Sequence, residues 1–84
     1  MFYTYILQSS KDNSYYIGST IDIIKRVEKH NKGYSQYTKA KRPWDLVYKE
    51  EYISLSEARK RENYLKLLKS RIVIENLIKQ GPIV

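Results

Sequence analysis

Aromatic and β-branched residues crowd the start of the chain. "FYTYILQ" (Phe2 to Gln8) reads as a β-strand, and "SYYIGS" (Ser14 to Ser19) as a second. The polar run "SSKDNS" between them supplies turn chemistry, so the pair is expected to close as an antiparallel hairpin, whose register the pattern leaves open. Only a register that sends Tyr5 and Tyr16 to one face lets their hydroxyls meet. The hydrophobic period then changes from two to 3.6. Ser19 and Asp22 have the spacing of a capping box with Asp in place of Glu or Gln, "DIIKRVEKHN" follows, and Gly33 stops it. In this helix Ile24, Val27 and Asn31 are expected to face inward. Arg26 and His30, four residues apart, share a neighbouring line at the edge of the buried face.

"GYSQYTKAKRP" (Gly33 to Pro43) is polar and basic and reads as a surface loop with room for a turn of helix, the kind of segment on which binding residues sit. "WDLVYKEEYI" (Trp44 to Ile53) reads as a third strand, with Trp44, Leu46 and Tyr48 on one side and Val47 and Ile53 on the other. Ser54 and Glu57 form the box that opens a second long helix, about Leu55 to Lys69, whose inward line runs Leu55, Ala58, Glu62, Leu65. Glu62 therefore falls on an apolar face, where a carboxylate is costly unless a cation compensates it. The plain explanation is an ion pair with Arg59, Lys66 or a neighbouring element. The other is a ligand for a hard divalent cation such as Mg²⁺, which needs only one or two carboxylates and keeps several waters. A last helix in "SRIVIENLIKQG" should pack Ile72, Val73 or Ile74, and Leu77 or Ile78, against the sheet.

The chain has 84 residues and no cysteine, so one domain over residues 1–84 is expected, without disulfides or thiolate zinc sites. A chain this short buries only about 60–65% of its unfolded surface. "FYTYIL" is too short and aromatic for a signal-peptide core, and no run approaches the roughly 18 apolar residues of a membrane span, so a cytoplasmic setting without membrane contact is expected. Net charge is +7. Between Lys25 and Arg42 lie seven basic residues against Glu28 alone, a local +6, and between Arg59 and Arg71 six against Glu62, a local +5. Such blocks either solubilise the surface or attract a phosphate backbone by counterion release.

The ordered set of motifs resembles the GIY-YIG endonuclease superfamily, in particular its small stand-alone branch. The parts that carry the resemblance are "YTY" at Tyr3 to Tyr5, "YIG" at Tyr16 to Gly18, Arg26 ten residues after Tyr16, His30 fourteen after it, and Glu62 on the helix that follows the third strand. "TKAKRPWDLVYKEEY" (Thr38 to Tyr52) resembles the region that joins the site to the third strand. The first motif lacks its usual glycine and isoleucine, and Ser19 stands where some relatives carry a lysine. Ile74 lies where many carry an asparagine, and Asn76 is the nearest asparagine.

The resemblance implies an α+β fold, a three-stranded antiparallel sheet flanked by helices, and a divalent-metal-dependent endonuclease. Its implied catalytic residues are Tyr5, Tyr16, Arg26, His30 and Glu62. Glu62 would hold one Mg²⁺ or Mn²⁺, and Arg26 would bind the scissile phosphate through a planar fork of donors that lysine cannot imitate. Tyr5 is preferred as the base or its assistant, with Tyr16 orienting water and His30 assisting, while the choice between the tyrosines stays open. Lys25, Lys29, Lys32, Tyr34, Tyr37, Lys39, Lys41 and Arg42 are the candidate nucleic-acid contacts. DNA is the expected partner, with RNA and a dimer on the nucleic acid left open. Without a base-reading residue, binding should be dominated by phosphates and directed by structure, as in DNA repair or processing. The competing reading is a non-catalytic nucleic-acid-binding module that stacks bases on Tyr34 and Tyr37.

Overall fold

In a computed structural model that describes residues 1–81, three strands and four helices follow in the order β1 (Phe2–Ser9), β2 (Tyr15–Thr20), α1 (Ile23–Lys32), α2 (Gln36–Lys39), β3 (Trp44–Tyr52), α3 (Leu55–Leu68) and α4 (Arg71–Gln80). The strands form one antiparallel sheet in the order β2-β1-β3, the expected α+β architecture. β1 and β2 join through a short turn in which Asn13 adopts φ 63°, a left-handed conformation that asparagine tolerates.

Strand alternation divides β1 between two cores. Tyr5 and Leu7 face one side, where they meet Ile23 and Trp44 with Tyr3, Tyr16 and Val27 around them. Ile6 faces the other, where it packs with Ile17, Tyr48, Leu65 and Ile74. On that second side the Thr4 hydroxyl donates to the Ala58 carbonyl at 2.7 Å and fixes α3 to the central strand. A buried polar cluster closes the far end. Tyr48 and Tyr52 each donate to the Glu50 carboxylate, and Arg61 reaches it from α3 at 3.0 Å. Burial alone would raise the Glu50 pKa, but the hydrogen bonds from Tyr48, Tyr52 and Arg61 outweigh it and hold the carboxyl below its ordinary range.

Two features differ from the pattern read in the sequence. Trp44 and Tyr48 were expected on one face, yet they lie in opposite cores. Ile6 pairs with Tyr48 while Leu7 pairs with Leu46, so Val47 is an extra residue, and a bulge inverts the alternation there. Secondly, α1 is capped by Asp22 itself, whose side chain accepts from the Lys25 N–H; Ser19 belongs to the β-ladder opposite Thr4. The inward line of α1 is therefore Ile23, Val27 and His30, and Ile24 is 74% exposed. The position of the cap sets the phase of the whole helix. Among the alternatives read for α4, Ile74 is the buried residue, with Leu77 and Ile78 packed beside it, and Ile72 stays in solvent.

Candidate active site

The hairpin register answers whether the two tyrosines meet. Tyr5 stands opposite Gly18, and Tyr16 stands opposite Leu7, so Tyr5 and Tyr16 share the face covered by α1, with ring centroids 6.4 Å apart. Gly18 makes room for this. A Cβ added there would come within 2.5 Å of the Tyr5 hydroxyl, so the phenol lies directly over the backbone of the "YIG" glycine. The last turn of α1 then brings in His30, whose ring lies 4.7 Å from Tyr16 and whose Nε2 lies 3.4 Å from the Tyr5 hydroxyl.

His30 is buried at 4% exposure, and its Nδ1 meets the hydroxyl of Thr38, which is wholly buried on α2, at 2.8 Å. Burial, aided by the Arg26 charge, lowers the His30 pKa, so the imidazole is neutral at pH 7. A neutral imidazole donates through one nitrogen and accepts through the other, so Thr38 and Tyr5 are linked with opposite polarity. The Thr38 carbonyl accepts from the Trp44 indole at 2.9 Å, which pins α2 beneath the histidine. Burial also pushes the Tyr5 pKa well above its ordinary value of about 10; Tyr16 and Glu62 add to the rise, and Arg26 opposes it. On this chain alone Tyr5 is a phenol, and it donates to His30 in the tautomer that carries its proton on Nδ1.

Glu62 approaches from the opposite layer, past the β2 edge. Its side chain is 17% exposed. One oxygen accepts from the Ser19 hydroxyl at 2.5 Å, and the other pairs with Lys66 one turn along α3, the ion pair that its apolar position called for. A single carboxylate in half-shielded surroundings suits a hard cation that keeps its waters. Among the described residues no three His, Cys, Asp or Glu side chains converge, so an all-protein metal cage is absent there.

The fold thus brings Tyr5, Tyr16 and His30 into contact, with Arg26 and Glu62 near enough for their charges to act on Tyr5. Tyr37 joins them, 6.0 Å from Tyr16, whereas Tyr34 is 73% exposed and makes no such contact. Lys25, Lys29 and Lys32 are exposed along α1, and Lys39 is exposed at the end of α2. Lys41 lies 5.8 Å from the Tyr37 ring centroid and 3.9 Å from Asp12. Arg42 donates to the carbonyls of Lys39 and Asn31, so it also braces the α1–α2 connection. Thr38 and Ser19 were not foreseen as partners of the site. A threonine in a basic loop and a serine after a glycine carry no signal of their own, although Lys66 was legible as an i, i+4 partner of Glu62.

Such a sheet, with two tyrosines and a histidine in contact beside the "YIG" glycine, is the architecture of a GIY-YIG-like α+β domain. The family described as the GIY-YIG catalytic domain matches residues 1–76, and the chain belongs to this GIY-YIG family. Within it, the relatives are small UPF0213 proteins. The one from Pediococcus pentosaceus is 42% identical over 81 residues, covering 95% of this chain and 84% of the relative. One from Staphylococcus aureus is 49% identical over 65 residues, covering 76% and 78%. The solution NMR structure of a UPF0213 protein from Bacillus halodurans is 36% identical, with a TM-score of 0.59 over 96% of this chain and 86% of that one. Membership of this family carries nuclease activity on nucleic acid, and its nucleases generally use divalent metal ions.

Proposed function

We propose that this chain is a metal-dependent endonuclease that hydrolyses phosphodiester bonds in DNA, selects its substrate by structure rather than sequence, and serves DNA repair or processing. The observation that carries the reading is the convergence of Tyr5, Tyr16 and His30, with Tyr5 over Gly18 and the charges of Arg26 and Glu62 close enough to act on Tyr5. In this reading Arg26 holds a non-bridging oxygen of the scissile phosphate through its planar fork of donors. Tyr16 orients the attacking water. Tyr5 takes a proton from that water while its own passes to Nε2 of His30, which the tautomer with Nδ1–H toward Thr38 leaves free to accept. Glu62 is the residue that would hold Mg²⁺ or Mn²⁺. When bound, such an ion acts as Lewis acid and template at the phosphate.

The test is cleavage of single-stranded, duplex, flap and branched DNA with Mg²⁺, with Mn²⁺ and with chelator. Native protein is expected to cut only with metal, and Glu62→Ala and Arg26→Ala are expected to bind DNA yet fail to cut it. Undiminished cutting by Glu62→Ala would refute the metal assignment. Salt-sensitive binding without cutting of any substrate would favour the binding-module reading.

A further inference from the structure

We propose that the cleft beside the catalytic group holds an unpaired nucleobase of the substrate, stacked on Tyr37, with the adjoining phosphates on Lys66 and Lys69. The proposal rests on the nuclease reading for where the cut falls, but not for the binding itself. The cleft has a volume of about 620 Å³. Its floor is aliphatic, from Ile17, Leu65 and Ile74, its walls are Tyr16 and Tyr37, and its rim carries the two lysines. Among the described residues no carboxylate lines it. Flat aromatic faces beside ammonium groups are the chemistry that single-stranded nucleic acids select, because every base offers a π-face and every nucleotide a negative charge.

Two details point to a ligand rather than to a leftover groove. Tyr37 is 68% exposed although it sits against Tyr16, so a large aromatic face beside the site is left to solvent. Lys69 ends α3 with φ 48°, a left-handed conformation that favours glycine, and its side chain lines the cleft. The cleft also shares Tyr16 and Lys66 with the site: Tyr16 contacts His30, and Lys66 pairs with Glu62. A base seated there is therefore a near neighbour of the phosphate to be cut. Bases inside a duplex are paired and stacked and cannot enter, so the cleft selects strands that present an unpaired nucleotide, such as flaps, gaps or single strands.

The test is binding in chelator, where no cutting occurs, followed through the methyl NMR signals of Ile17, Leu65 and Ile74 and through affinity. A short single-stranded oligonucleotide should shift these methyls, whereas a blunt duplex of equal length should not. Tyr37→Ala should weaken single-strand binding about 10-fold, since one stacked base contributes roughly 1–3 kcal/mol, and should change duplex binding little. Lys69→Gly relieves the left-handed backbone, so it should fold while lowering the salt slope for single strands by about 0.7, as one lost phosphate contact requires. Equal weakening of both substrates by Tyr37→Ala, or methyls unmoved by the single strand, would overturn the proposal. So would methyl shifts that follow protein concentration without DNA, which would assign the cleft to a second copy of the chain, or shifts reproduced by an acidic peptide. Cleft binding in a protein that cuts nothing would refute the nuclease reading and leave the cleft assignment standing.

Discussion

Gly18→Ala tests the packing on which the site depends. The added Cβ would lie 2.5 Å from the Tyr5 hydroxyl and 2.7 Å from the ring carbon that bears it. That is roughly 1 Å short of an ordinary carbon contact. Tyr5 has little freedom to retreat, because it is 1% exposed and held by Leu7, Ile23 and Trp44. Overpacking of this kind costs about 1–3 kcal/mol, and in a domain of this size each kcal/mol lowers Tm by about 4–8 °C. The displaced hydroxyl leaves His30 as well, and a misplacement of about 1 Å at a reacting group can slow chemistry roughly 100-fold. Thermal melting and single-turnover cleavage of Gly18→Ala, Tyr5→Phe and the double variant check this reasoning. Removing the hydroxyl deletes the closest clash, so the double variant should melt above Gly18→Ala although both changes are present. Strictly additive melting shifts, or a Gly18→Ala protein that melts and cuts like the native one, would refute it.

Thr38→Val removes the partner of His30 Nδ1 in a fully buried place, so it should cost about 1–2 kcal/mol and change the tautomer populations of His30 seen by ¹⁵N NMR, with Thr38→Ser restoring them. Burial depresses the His30 pKa, so its neutral form favours folding fully above its ordinary value of about 6.5, and that contribution is lost as pH falls through the lower native value. Melting profiles should fall with acid from near pH 6.5 downward, and His30→Gln should remove that slope. Glu50→Gln should destabilise by about 2–3 kcal/mol, because it weakens the charged hydrogen bonds to Tyr48, Tyr52 and Arg61. Since the Glu50 pKa is also depressed, its contribution is complete above about pH 4.3 and lost as pH falls through the native value, so the difference between the native and Glu50→Gln melting curves should shrink in acid.

Much of the architecture could be read from local pattern, because strand alternation, S-x-x-E capping and a glycine stop are each encoded within a few residues. Helix α3 opened at Ser54 as read, and Glu62 fell on its inward line. What local pattern could not carry was phase. Ile24 competed with Ile23 for the interior, and only the tie of Ser19 into the sheet, which leaves Asp22 to cap, decides between them. For the site, the residue types that carry chemistry were visible from their spacing. Their support was not: Thr38 matters because the Trp44 indole holds its carbonyl and His30 holds its hydroxyl, and both relations arise only after the chain has folded.

Val47 is half-buried and touches none of the chemistry, yet it is the residue at which β3 changes phase. Because it is the supernumerary residue of β3, the ladder passes from Leu46 to Tyr48 without it, and a chain that lacked it would keep Trp44 and Tyr48 on opposite sides of the sheet by plain alternation. Loss of this residue should therefore leave the register of β3 intact and remove only the local bend that a bulge gives the strand. What inheritance has to preserve is the pairing of Leu46 with Leu7 and of Tyr48 with Ile6, rather than the count of residues between Trp44 and Tyr48.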